Sequence, residues 1–415
     1  MRWVSVLCVI VAFCAGGAPL QPSVAAPLPT AASTRTAPPD TLSAQSSIAL
    51  LTIRSGAPLY SAFGHSALRV YDPVRGIDRL YNYGTFSFED PWFLVKFTYG
   101  QLRYFLSTTS FPGALRAYRF MNRPVIAQTL NLTRAQRSAL FRFLEHNAQP
   151  EHRYYRYDFL YDNCSTRIRD ALRYVLGDTL RWGARPDPAA TFRDLLARYM
   201  QNRPLTWAGM DLGLGQPVDQ DVNTFESMFL PRYLMEAADH AVLQTDGTRR
   251  PLVARTDTLL WIEGYRPSPH AANWPVWMAW LVFALGVGTT AWQLHKRQPP
   301  GWGLDGTLFG SAGVIGLLLT YLWISTHDVT TPNWNLLWAW PWHVLLLSPS
   351  LRARLSQTNR TLYWSLTAGA CLLVAVAWRL IPQDLPAAFF PIILLMAVRA
   401  IWRSAAMHID MEASA

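Results

Sequence analysis

Cys164 is the only cysteine in the polar part of the chain, since Cys8 and Cys14 lie in the first apolar run and Cys371 in a later one. The stretch Tyr157-Asp158-Phe159-Leu160-Tyr161-Asp162-Asn163-Cys164-Ser165-Thr166-Arg167 leads into a predicted helix. Its apolar positions Ile168, Ala171, Leu172, Val175 and Leu176 recur at helical spacing before Gly177. Cys164 opens that helix, where partial positive charge and unpaired N–H groups favour thiolate over thiol. The same groups suit an oxyanion formed when the thiolate attacks a carbonyl. The plain alternative makes Cys164 a small buried apolar residue, with Asp162 or Asn163 merely capping the helix.

A thiolate nucleophile needs a general base, and His65 in Phe63-Gly64-His65-Ser66-Ala67-Leu68-Arg69-Val70 is the best placed, at the start of a predicted strand. His146 and His152 lie in or just past a charged helix, and His240 and His270 near polar or linker sequence. Asn82 is the candidate for orienting the imidazole, because a hairpin folded about 72–76 brings it close to being opposite His65; a one-residue slip in register would turn it to the other face. A serine-hydrolase elbow at Gly64-His65-Ser66-Ala67-Leu68 fails at Leu68, where a small residue is required, and strand-like sequence follows the serine. Metal-binding motifs and usual ligand spacings are missing.

The elements that must position these groups fall into a mixed α+β pattern. Strand-like runs at Ala49 to Arg54, Ser66 to Tyr71 and Arg79 to Tyr83 precede helical ones at 134–146, 166–176, 190–199 and 231–241. Residues 1–26 read as a signal peptide, with an uncleaved anchor as the alternative, and 27–46 as a Pro/Ser/Thr-rich linker. Residues 47–270 form the expected outer domain, 271–405 an all-α membrane domain and 406–415 a cytoplasmic tail. Five apolar segments, near 274–294, 304–325, 334–350, 361–380 and 386–402, predict about five transmembrane helices, although Pro341 and His343 interrupt the third.

Charge sets the direction of insertion. Lys296-Arg297, then Arg352, Arg354 and Arg360, then Arg399 and Arg403 fall on one side, and Arg379 is the exception. Under the positive-inside rule that side is cytoplasmic and the 27–270 region lies outside. Hydrophobic residues at 51% with charged ones at only 15% exclude a disordered chain. The net charge of +10 comes from scattered residues, all but two of the 37 being Arg, so it suits anionic lipid rather than nucleic acid. In the membrane half, Thr326-His327-Asp328 and Asn333-Trp334-Asn335 form a polar outward loop. It reads either as a seat for a lipid headgroup or as an interfacial loop with Trp anchors.

At several stretches the chain resembles the Lnb family of bacterial lipoprotein N-acyltransferases, which join a periplasmic thiol domain to membrane helices. They are Phe63 to Val70, Leu80-Tyr81-Asn82-Tyr83-Gly84-Thr85-Phe86-Ser87-Phe88, Asn122-Arg123-Pro124-Val125, Tyr155 to Asp170, and His327 with Asn333-Trp334-Asn335-Leu336. The resemblance implies a permuted papain-like fold, similar to the NlpC and lecithin:retinol acyltransferase groups, with histidine before cysteine. It implies a multi-pass protein of the bacterial inner membrane that moves a fatty acyl chain from a phospholipid, through a Cys164 thioester, to the α-amino group of the lipidated N-terminal cysteine of a lipoprotein. Cys164, His65 and Asn82 would then be catalytic, and Asp162, Asn163, His327, Asn333 and Asn335 would touch substrate. His327-Asp328 stands where the family would have His-Pro, so that contact carries over less safely. No cofactor is called for, because a thioester conserves acyl reactivity without ATP, and tethering raises the concentration of both membrane substrates. A membrane-tethered cysteine peptidase or amidase acting on wall peptide, a phospholipase, and a non-catalytic envelope binding module remain as alternatives.

Overall fold

Alternation of buried residues along Ser47–Ile53 and His65–Asp72 sets the architecture of the outer domain. One set of side chains packs against helices on one face of a sheet and the other set against a helix on the opposite face. A computed structural model describes residues 41–86, 92–101, 103–183, 190–245, 247–265 and 271–414, so the signal peptide and most of the linker, 27–40, lie outside the described residues.

The strands are β1 (Ser47–Ile53), β2 (His65–Asp72), β3 (Ile77–Thr85), β4 (Arg103–Ser110), β5 (Val125–Leu130), β6 (Tyr154–Arg156), β7 (Leu180–Arg181), β8 (Val242–Thr245), β9 (Thr248–Pro251) and β10 (Val253–Leu260). An antiparallel seven-stranded sheet runs β10-β5-β1-β2-β3-β4-β6, and β7-β8-β9 form a smaller one. The hairpin joining β2 to β3 turns at the expected residues, with Asp72 paired to Ile77.

On one face the helices Arg134–Asn147 and Cys164–Leu176 bury Leu140, Phe141, Leu144, Ile168 and Leu172 against Ile48, Leu50, Leu68, Val70 and Tyr81. Each such side chain contributes about 1.5–3 kcal/mol, and Leu172→Ala is expected to cost about 2–5 kcal/mol. On the other face the helix Phe111–Phe120 joins Ile53, Ala67, Leu80 and Val125.

The membrane unit is a second compact body. It includes residues 200–220, assigned to the outer domain on sequence, whereas 221–265 return to the outer domain. Among the described residues three stretches are helical, long and apolar enough to cross a membrane: Trp274–His295, Trp302–Ile324 and Ala387–Ala406. The 334–350 segment instead forms tight 3-10 turns at Trp334–Leu337 and Pro341–Leu347. Pro341 lacks an N–H for a longer helix, and the buried imidazole of His343 bonds the Tyr363 hydroxyl. The fourth segment is a helix, Gln357–Val376, but its first turn is the polar Gln357-Thr358-Asn359-Arg360.

Arg399 and Arg403, expected on the cytoplasmic side, are buried and share the carboxylate of Asp305 on the neighbouring helix.

Candidate active site

The chain enters the Cys164–Leu176 helix through a cap made by Asn163. Its Oδ1 accepts from the amides of Ser165 at 2.8 Å and Thr166 at 3.1 Å, while Thr166 Oγ1 accepts from the Asn163 amide at 2.7 Å. Its Nδ2 donates to the carbonyls of Phe159 at 2.6 Å and Phe229 at 2.9 Å. All four hydrogen-bonding positions of this buried side chain are therefore taken up within the fold, leaving none for a substrate. Asp162 is likewise engaged, in a two-pronged ion pair with Arg167.

The cap holds Cys164, half-buried, at the end of β2, where the backbone amide of Ser66 faces its sulfur. Ser66 itself is fully buried in β2, its hydroxyl 3.0 Å from that of Ser165. Two glycines make this approach possible. Gly64 takes φ +86°, and a Cβ there would lie 2.9 Å from the Ile53 carbonyl. Gly84 takes φ +82°, and a Cβ there would lie 3.5 Å from that of Cys164.

Leu68 pairs with Tyr81, so Asn82 falls diagonally across from His65 on the same face of the sheet. Its Oδ1 lies 3.3 Å from His65 Nε2, and its Nδ2 donates to Thr109 Oγ1 at 3.4 Å. With the amide oxygen towards the ring, Nε2 carries the proton and Nδ1 keeps its lone pair.

One neighbour has no role in the sequence reading. Arg123 is buried, donates Nε to the Arg54 carbonyl at 2.9 Å, and leaves Nη2 buried without a partner among the described residues. Its charge acts on both His65 and Cys164. Burial and this cation pull the imidazole down to about 4, against which the Asn82 bond works. Burial pushes the Cys164 thiol up in spite of the amides facing it, so the resting pair is thiol and neutral imidazole rather than the thiolate expected from the helix terminus alone.

Aromatic rings wall the site: Tyr104 stacks on Tyr157 at 4.1 Å, and Phe63 meets Phe159 edge-on at 4.9 Å. Among the described residues no group of side chains suits a metal ion.

Two family models match the chain, the Lnb N-terminal periplasmic domain over residues 32–198 and the Lnb transmembrane domain over residues 270–408. The chain belongs to the Lnb family. No curated protein sequence and no solved structure matches it. The outer domain of this Lnb chain is thus periplasmic and its helical half a membrane domain.

The polar loop of that Lnb membrane half is knitted inward. Asn333 Nδ2 donates to the Leu212 carbonyl at 2.9 Å, and its Oδ1 accepts the Asn335 amide and side chain at 3.0 Å each. Asn335 in turn accepts from Trp338 Nε1 at 3.1 Å, and both asparagines are buried. They hold the loop together as a structural turn. His327, half-buried, caps the same loop, its carbonyl accepting from Thr330 Oγ1 at 3.2 Å.

Proposed function

We propose that this Lnb chain is a thiol-dependent lipoprotein N-acyltransferase of the bacterial inner membrane, with a permuted papain-like outer domain. Phospholipid is the acyl donor and the lipidated N-terminal cysteine of a lipoprotein the acceptor. The observation that supports the reading is that the amide of Ser66, next in the chain to the Asn82-bonded His65, faces the Cys164 sulfur, and that the buried Arg123 acts on both His65 and Cys164, in a chain that also bears membrane helices. The order of histidine before cysteine, with the cysteine helix packed on an antiparallel sheet, supports the fold assignment.

The chemistry follows from the neutral pair. His65 Nδ1 takes the proton of Cys164 Sγ as sulfur adds to the ester carbonyl carbon, and the carbonyl electron pair moves to oxygen. The Cys164 amide receives that oxyanion, because Asn163 already holds the next two amides of the helix. Arg123 stabilises the negative charge that passes through the site. Collapse re-forms the carbonyl and breaks the C–O bond. His65 returns its proton to the departing lysophospholipid hydroxyl, leaving a thioester on Cys164. The acceptor amine then adds to the thioester carbonyl, the C–S bond breaks, and the amine's proton passes through His65 to the sulfur. The aromatic wall supports an apolar acyl chain and limits water as a competing acceptor.

The test is mass spectrometry of the Cys164 peptide after the purified protein meets phospholipid vesicles, with no acceptor added and Cys164→Ala as control. A fatty-acyl mass on Cys164 that hydroxylamine removes is the expected result. Absence of any adduct, combined with cleavage of wall peptide, would replace acyl transfer by peptidase chemistry.

A further inference from the structure

Three guanidinium groups, those of Arg352, Arg360 and Arg403, line one cavity of about 140 Å³ in the membrane unit, together with Trp302, Tyr363 and Trp364. Among the described residues no carboxylate lines it. The acid that reaches this cluster, Asp305, is already bidentate to Arg399, at 2.6 and 3.1 Å, and also accepts Arg403 Nε at 2.5 Å. One negative charge thus serves two buried cations, and Arg352 and Arg360 remain beyond it.

Aromatic rings hold the cations without neutralising them. Arg352 and Arg403 each stand 3.9 Å from the centre of the Trp302 ring, and Arg403 stands 5.5 Å from that of Trp364. Arg352 also donates to the Leu346 carbonyl, and Arg403 to that of Pro300 at 3.0 Å. Arg360 Nε is buried and has no hydrogen-bond partner among the described residues. An unfilled buried donor beside uncompensated positive charge is costly unless an anion completes it. The cavity is several times the roughly 30 Å³ that a water takes up in the liquid, enough for a tetrahedral oxyanion.

Its depth narrows the choice of anion. The Trp274–His295 helix follows the periplasmic domain, so its Lys296-Arg297 end, and Trp302 at the start of the next helix, fall on the cytoplasmic side. We propose that this cavity binds a phosphate-bearing anion, the headgroup of an anionic phospholipid in the cytoplasmic leaflet, held by charge-assisted bonds from Arg360, Arg352 and Arg403. Free phosphate shares that chemistry, and the experiment separates the two. The site is independent of the thiol chemistry: it uses none of the same residues and stands if the acyl-enzyme is never found.

The experiment is native mass spectrometry of the full chain in detergent, with phosphatidylglycerol, phosphatidylcholine or inorganic phosphate added. The expected result is one tightly retained phosphatidylglycerol per chain, with phosphatidylcholine lost at the same collision energy. Arg360→Gln should weaken phosphatidylglycerol about tenfold, as loss of one charge-assisted bond does, while its melting temperature without lipid stays that of the wild type. Lys296→Gln and Arg297→Gln, at exposed basic residues, should leave the affinity unchanged. Equal retention of both lipids, or equal weakening by Lys296→Gln, would overturn the site. Inorganic phosphate that raises the melting temperature of the wild type but not of Arg360→Gln, with phosphatidylglycerol adding nothing, would overturn the lipid assignment.

Discussion

Arg399 and Arg123 are both buried cations, yet their surroundings differ in kind. Arg399 is fully buried, with two bonds to Asp305, one to Thr290 at 2.9 Å and one to Gln293 at 2.8 Å. Arg123 has a single carbonyl partner for Nε and a bare Nη2, and the groups that feel its charge are Tyr118, Tyr60, Cys164 and Tyr265. A polar network completed from within fastens helices together. One left incomplete costs stability and keeps its charge for something that arrives later.

Removing the carboxylate from the complete network should have the largest effect. Asp305→Ala leaves two buried guanidinium groups without their anion, an expected loss of about 3–5 kcal/mol, visible as a fall in melting temperature and in the yield of folded protein in detergent. A variant as stable as the wild type would erase the distinction between the two arginines.

The incomplete site predicts a pH effect next. His65 is held neutral, its folded pKa about 4 lying below the unfolded value of 6.5. The unfolded chain therefore takes up the proton first as pH falls, and stability drops between 6.5 and 4 by something of order 2 kcal/mol. His65→Gln should flatten that part of a melting-temperature curve taken across pH. An equal slope in the variant would assign the titration to another group.

Arg123→Met is expected to melt at or above the wild-type temperature, since an unpartnered buried cation is exchanged for an apolar chain. Iodoacetamide labelling of Cys164 should nevertheless slow about tenfold, the effect of roughly 1.4 kcal/mol lost from the thiolate. Labelling at the wild-type rate would show that Arg123 acts on structure alone. The smallest change is expected from Asn82→Ala, about 1 kcal/mol of stability. It should also lower the His65 titration midpoint, followed by the ring protons in NMR, because the Asn82 bond opposes the depression.

Much of this site could be read before the structure, for identifiable reasons. The helix opened by Cys164 has a clear apolar period and an Asn-x-x-Thr cap, and the β2–β3 hairpin has its turn residues in place, so both elements fall close to their expected bounds. Arg123 lies in a stretch that carries the family resemblance, Asn122-Arg123-Pro124-Val125, but no pattern there assigns it a role. It follows Asn122, which has φ +53°, in a turn, and what sets it apart is a buried Nη2 with no hydrogen-bond partner among the described residues, which no local pattern records. Asn163 shows the reverse: its place beside Cys164 suggests a substrate role, whereas the four internal partners that make it a cap and a clasp leave no local trace in the sequence. In the membrane half, apolar composition alone made 334–350 look like a span, and Asp305 inside an apolar run was passed over although it organises the polar core.

The bond from Asn163 to the Phe229 carbonyl also fixes when the site can come into being. The start of the Cys164 helix is fastened to a residue that follows the 200–220 excursion into the membrane unit, and β10, which closes the sheet beside β5, ends only at Leu260. During export, a chain that has emerged as far as residue 199 holds the cysteine, the histidine and the arginine but not the clasp that sets them. A severed outer fragment ending before residue 229 would therefore carry the side chains of the candidate site without the clasp at the start of the Cys164 helix.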